Sequence, residues 1–250
     1  MSIKNLIHPV IFASLVFVAI DSYSQTLEEV VVTAQIREQS LQDVPISVSA
    51  VDGEVIEDRS VDNLQSLSAS VPNFYVAETQ IDTTISIRGV RSGANKGFEQ
   101  SVPLNFDGIT YPRSQLARTP LVDLERIEVL RGPQPTLFGK NAIGGVVSVT
   151  SAKPTEEFEG KFSTSHESEH DESQSLLVLS GPLSDNLLGR LTVSTREMDG
   201  WITNERMKRV EPQRDETYLR GQLAWTSGNV DWNLKVESAD FDSVGYAMEA

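Results

Sequence analysis

From residue 158 onward the chain alternates apolar and polar positions with a period of two. Val230, Trp232, Leu234 and Val236 interleave with Asp231, Asn233, Lys235 and Glu237, and Leu187, Leu191 and Val193 stand against Arg190, Thr192, Ser194 and Arg196. Successive side chains of a strand point to opposite faces, so each run predicts a strand with one apolar and one polar face. About five such strands are predicted, of about 9–11 residues, the length that crosses a bilayer when tilted. The connections at 181–186 and 227–229 are short, while 200–215 is long, polar and charged. If the first strand rises from the periplasm, both short turns fall on the periplasmic side and the long one outside, as in transmembrane barrels. Trp225 and Trp232, near strand ends, fit an aromatic girdle. The same alternation would suit an edge of a soluble β-sandwich. Closed membrane barrels need at least about 8 strands and plugged transporters about 22. An open sheet in lipid leaves backbone groups unpaired, so the segment is expected to belong to a longer barrel, as an N-terminal fragment or truncated product.

Upstream the period changes. Ile46, Val48 and Ala50 alternate with polar neighbours as a short strand, and residues 53–58 form a short helical segment. Asp62 with Gln65 predicts a capping box for a helix whose face is Leu64, Leu67 and Val71, stopped by Pro72. Residues 74–77 and 85–88 are predicted strands. Residues 123–154, DLERIEVLRGPQPTLFGKNAIGGVVSVTSAKP, place two β-like runs, 125–131 and 145–150, around a bend broken by Gly132, Pro133, Pro135 and Gly139. Gly144 and Gly145 suit close backbone approach or positive φ. The whole of 45–154 predicts a compact α/β unit. A phosphate-binding loop at Gly139 and Lys140 does not fit, because Gly132 is too distant and Asn141 stands where Ser or Thr would hold magnesium.

The first 24 residues predict a secretory signal: Lys4, an apolar run over 7–20, then Ser22 and Ser24 before a cut at Gln25. Next comes LEEVVVTAQ at 27–35, whose β-branched Val30, Val31, Val32 and Thr33 favour extended backbone. It has no obvious partner strand in the sequence, and a tethered strand of this kind can add itself to the edge of another protein's sheet.

A net charge of -15 disfavours nucleic acid and anionic surfaces as partners. The absence of cysteine excludes disulfides, thiolate metal sites and cysteine nucleophiles. His166, Glu167 and His170 in HESEH satisfy the letters of a zinc-peptidase motif, which requires a helix and a third ligand. The flanks read as strands, so an acidic hairpin tip is expected, with no catalytic residue, metal or cofactor; a zinc hydrolase and a soluble periplasmic binding module are the alternatives.

Several of these segments, in this order, resemble the TonB-dependent outer-membrane receptors. The stretch ERIEVLRGPQPTLFGKNAIGGVVSVTSAKP is similar to the end of their plug domain, with departures at Pro135 and Ile143; SIRGV at 86–90 and LNFDGI at 104–109 look like two further plug motifs, and LEEVVVTAQ resembles the TonB box. The resemblance implies an α/β plug followed by the first antiparallel strands of a transmembrane β-barrel: signal peptide 1–24, TonB box and linker 25–44, plug 45–154 and barrel strands 155–250. It implies plug-motif residues Arg88, Gly89, Asp107, Gly108, Gly132, Pro133, Gly139, Asn141, Gly144 and Gly145. TonB pairing would use Glu29, Val30, Val31, Val32, Thr33 and Ala34, and plug–barrel ion pairs would use Arg126, Glu128 and Arg131. Loops carrying Arg91, Asn95, Lys96, Phe98, Tyr111, Arg113 and Arg118 would face the ligand, a basic and aromatic set that suits an anionic one. The implied partners are TonB with the inner-membrane ExbB–ExbD motor, the outer membrane and a scarce nutrient such as an iron-siderophore, cobalamin or a glycan.

Overall fold

The computed structural model describes residues 31–32, 39–40, 44–78, 83–92, 97, 99–169 and 171–245. The signal segment lies outside the described residues, as do Glu29, Val30, Thr33, Ala34, Asn95, Lys96, Phe98 and His170.

The N-terminal unit contains β1 (Val31–Val32), β2 (Gln39–Ser40), β3 (Ser47–Asp52), α1 (Gly53–Asp58), α2 (Leu64–Ser70), β4 (Phe74–Glu78), β5 (Thr83–Ile87) and β6 (Val90–Arg91). It continues with β7 (Leu104–Phe106), β8 (Ile109–Tyr111), a 3-10 turn (Ser114–Arg118), β9 (Leu124–Arg131), α3 (Pro135–Phe138) and β10 (Gly145–Ser151). The central sheet has the order β3-β9-β10-β7-β8 and is antiparallel except between β10 and β7. Its two middle strands are buried on both faces. Ile127, Val129, Val147 and Val149 pack with Leu64, Leu67, Phe74 and Ile85 on one side, while Leu130 and Val146 pack with Phe138, Ala142 and Val32 on the other. Two covered faces explain why GVVSV carries no clean alternation.

Four local expectations are corrected. The helix cap sits one residue later than Asp62: the Asn63 side chain accepts the Ser66 N–H at 2.8 Å and Ser66 Oγ accepts the Asn63 N–H at 3.3 Å, since the extended backbone at 63 brings its side chain over the first turn. The bend after β9 is not wholly irregular; Pro135 occupies the first turn of α3, where its missing N–H goes unused. The expected loop that carries Tyr111, Arg113 and Arg118 contains the 3-10 turn, held because Ala117 enters the core. Finally, β1 has a partner: Val31 and Val32 pair antiparallel with Ser40 and Gln39, and Val32 is fully buried against the lower face of the central sheet.

The second sheet contains β11 (Glu159–Glu167), β12 (Glu172–Ser184), β13 (Leu187–Met198), β16 (Gln213–Ser227) and β17 (Val230–Val244), in that order and all antiparallel. The long connection between β13 and β16 folds as a small hairpin of β14 (Ile202–Asn204) and β15 (Arg209–Glu211). The last four long strands have 13, 12, 15 and 15 residues, beyond the expected length. They overrun the apolar band: His166, Ser173, Glu197, Asp215 and Asp242 form one register row of polar groups at the far end. Residues 166–169 of HESEH are the end of β11 and a turn, not a helix, which removes the geometry a zinc peptidase needs. No cluster fit for a metal occurs among the described residues.

Candidate functional site at the seam between unit and sheet

The strands turn their polar face toward the α/β unit and their apolar face away. Thr192, Ser194 and Arg220 are buried, whereas Leu191, Leu234, Val236 and the register partners Trp225 and Trp232 are exposed. A sheet packed on a soluble core would show the reverse. The arrangement fits a wall with lipid outside and a polar interior.

At the seam stands Asp123, between the 3-10 turn and β9, with φ +53, a conformation Asp tolerates better than most residues. Its side chain accepts hydrogen bonds from Arg190 Nε at 3.0 Å, Arg220 Nη2 at 2.6 Å and the Thr192 hydroxyl. Its carbonyl accepts from Arg220 as well, and from the Ala152 N–H at 3.2 Å. Arg220 is 1% exposed and also donates to Ser151 Oγ at 3.1 Å. One carboxylate therefore joins β13 and β16 to the unit, with two fixed guanidiniums around it. Burial alone would raise the Asp123 carboxyl, but hydrogen bonds from Arg190 and Thr192 and the charges of both arginines outweigh it, so the group sits below its ordinary value.

A second key lies alongside. Asp107 and Gly108 form the two-residue turn between β7 and β8, with φ of 47 and 85, as a type I′ turn requires. The turn presents Asp107 to Lys235 of β17, while the carboxylate also accepts the Ser151 N–H at 2.7 Å and hydroxyl at 2.8 Å. Burial opposes ionisation here too, and Lys235 and Ser151 overcome it, lowering the group. Arg196 of β13 pairs with Asp62 at 2.8 Å and Glu172 at 2.7 Å, and Lys161 of β11 pairs with Glu57 of α1. Along this part of the seam a cleft of about 630 Å³ separates α1 from β11 and β12.

Arg126, Glu128 and Arg131, expected to form plug–barrel ion pairs, also make contacts inside the unit. Arg126 bonds Glu128 at 2.9 Å and pairs with Glu125, and Glu128 is fully buried. Arg131 donates to the Pro72 carbonyl at 3.1 Å and to Ser47 and Ser49; burial, then the nearby charge of Arg88, lowers it. No described carboxylate pairs with Arg88 or Arg131. The other motif residues are placed by the backbone. Arg88 and Gly89 form another two-residue positive-φ turn, between β5 and β6. Gly145, at φ +150, passes so close to Leu130 that a Cβ would collide with its carbonyl. Gly132, Pro133, Gly139, Asn141 and Gly144 shape the bend around α3.

Of the proposed ligand-facing set, Arg91 and Arg113 are exposed and Tyr111 is half-buried, edge-on to Phe106 at 6.3 Å. Their two loops are joined by the Gln100 N–H to the Pro112 carbonyl at 2.7 Å. Asp123 carries no site signal in the sequence, because its arginine partners are 67 and 97 positions away. The available signal was the basic residues on the polar faces of predicted strands, each requiring an acceptor inside.

Residues 40–146 match the family model of the TonB-dependent receptor plug domain. The iron-regulated outer membrane virulence protein of Vibrio cholerae serotype O1 is 33% identical over 189 residues, covering 70% of this chain and 28% of that protein. The vitamin B12 transporter of Vibrio vulnificus (strain YJ016) is 30% identical over 207 residues, covering 81% of this chain and 32% of the relative. The solved ferric yersiniabactin uptake receptor of Yersinia pestis superposes with a TM-score of 0.70 at 26% identity, over 78% of this chain and 31% of that one. The chain thus spans about a third or less of the length of the proteins it matches. With an α/β unit keyed through Asp123 and Asp107 to the polar face of lipid-facing strands, the chain belongs to the TonB-dependent outer-membrane receptors, of which it carries the plug and five barrel strands.

Proposed function

We propose that the protein serves as an outer-membrane receptor that binds a scarce nutrient at the cell surface and passes it inward when TonB pulls on the plug. The observation that carries this reading is the seam: a plug held against a barrel wall by charge pairs, Asp123 with Arg190 and Arg220 and Asp107 with Lys235, is anchored yet displaceable, because these contacts are noncovalent. Relatives named for iron regulation, ferric yersiniabactin uptake and vitamin B12 transport favour an iron chelate as ligand, with cobalamin second and a glycan third. The motive energy would come from the ExbB–ExbD motor and the inner-membrane potential, worth about 2.3 kcal/mol per charge per 100 mV. No bond is made or broken in this scheme, so the role is transport and not catalysis.

TonB would take Glu29 to Ala34 as an added strand, using backbone hydrogen bonds. Val31→Pro removes a donor and fixes φ there. In whole cells the expected result is loss of energised uptake of the chelate with surface binding retained; loss of binding itself, or uptake at the normal rate, would count against the reading. The exposed Arg91 and Arg113 support an anionic or carboxylate-bearing ligand, together with Lys96 in the same loop region. Changing all three to Ser is expected to weaken ligand affinity at least about tenfold, as two or more charge-assisted contacts would, and an unchanged affinity removes the anionic-ligand idea. Arg88 and Arg131 bring two cations together, and the plug–barrel role of Arg131 is proposed to use carboxylates of strands other than these five.

A further inference from the structure

The outward face of the barrel strands contains a groove of about 440 Å³, lined by Phe158, Leu179, Leu183, Leu191, Leu223 and Leu234 and floored by Gly181, Gly189 and Gly221. Two of the floor glycines have structural reasons to lack a side chain. A Cβ at Gly181 would meet the Phe158 backbone at 3.0 Å, and one at Gly189 would meet Leu183 at 2.8 Å. Gly221 has none: it lies mid-strand in β16, its φ is not positive, and no atom lies within 4 Å of where its Cβ would be. Glycine weakens a strand interior, and where the fold does not demand it, it marks a place approached closely by something else.

From this we infer that the groove is a seat for one acyl chain of a phospholipid in the periplasmic leaflet. The inference rests on the outer-membrane reading above. The occupant must be apolar, because the side chains that line the groove are almost wholly hydrocarbon and the polar groups of Arg190 and Gln222 turn to the inner face. It must come from the leaflet on the short-turn side. Trp225 and Trp232 pair in the next outward-facing row after that of Leu223 and Leu234, and aromatic residues of this kind mark the membrane–water boundary. Above the groove, toward the long connection, the outward rows become polar at Thr195, Thr217 and Asp240, so an acyl chain entering from that side would cross them.

The test uses the intact receptor extracted from outer membranes in mild detergent, with bound lipid counted by native mass spectrometry. The wild type is expected to retain one phospholipid per chain. Gly221→Phe fills the groove from a position with free space around it, and should lose that lipid by tenfold or more. Leu219→Phe, on the same outward face but outside the groove, should keep it. Equal retention in Gly221→Phe, loss in Leu219→Phe to the same degree, or retention of lipopolysaccharide in place of phospholipid would each overturn the proposal. Heat-modifiable electrophoretic mobility of each variant reports whether the barrel itself has formed. Its absence in the wild type would sink the barrel reading, whereas its presence with no retained phospholipid would sink only the groove.

Discussion

Asp123 shows how much one side chain can hold. Its carboxylate satisfies Arg190, Arg220 and Thr192, and Arg220 is almost fully removed from water. Removing one member of a buried ion pair strands the other, which costs about 3–5 kcal/mol. Asp123→Ala should therefore lower the plug's resistance to denaturant by about that amount, and protease cleavage within the plug of membrane-embedded receptor should rise. A loss below about 1 kcal/mol would mean the arginines find water or other acceptors. Asn63 has a smaller, local task as the α2 cap, and Asn63→Ala should cost about 1 kcal/mol in the same measurement. These residues differ in legibility. A cap lies within four positions of its partners, so the sequence marked the right place within one residue. Asp123 reads as an ordinary polar residue before a strand, because its role exists only once β13 and β16 stand against it.

At the scale of elements, period and punctuation carried most of the fold. The alternation along β13, β16 and β17 survives as an inside and outside division, and the Asp107–Gly108 pair marks a turn through its demand for positive φ. What periodicity could not show is which element covers which. The valine-rich β1 looks unpartnered in sequence, yet Val32 is buried beneath the sheet against Phe138, Ala142, Leu130 and Val146. That docking is a tertiary choice of a short strand, made because the lower face of β9 and β10 is apolar. It has a consequence for β1 itself. Phe138→Ala deletes a large part of the contact and leaves a cavity, so the docked state should weaken, with hydrogen exchange at Val31 and Val32 accelerating at least about tenfold, or about 1.4 kcal/mol. Exchange unchanged in that variant would show that β1 is held by its pairing to β2 alone.

For the whole molecule, the keys at the seam make plug attachment depend on pH in a definite direction. Asp123 and Asp107 are both held below their ordinary values, by Arg190 and Thr192 in one case and by Lys235 and Ser151 in the other, against the opposing effect of burial. A carboxyl lowered in the assembled state contributes stability that is complete above its ordinary value, about 3.9 for Asp, and lost as pH falls through the lowered one. Attachment should hence be flat between about pH 5 and 8 and weaken below about pH 4. Arg190, Arg220 and Lys235 stay charged throughout that fall, so protonation leaves three cations on the barrel side of the seam with their counter-charge gone. Following the plug's thermal transition from pH 7 to pH 3 tests this. The wild type should lose stability steeply at the acid end, and Asp107→Asn with Asp123→Asn should start lower but decline less, because the groups that bind the extra protons are absent. An equally steep decline in the double variant would assign the acid sensitivity to carboxylates elsewhere.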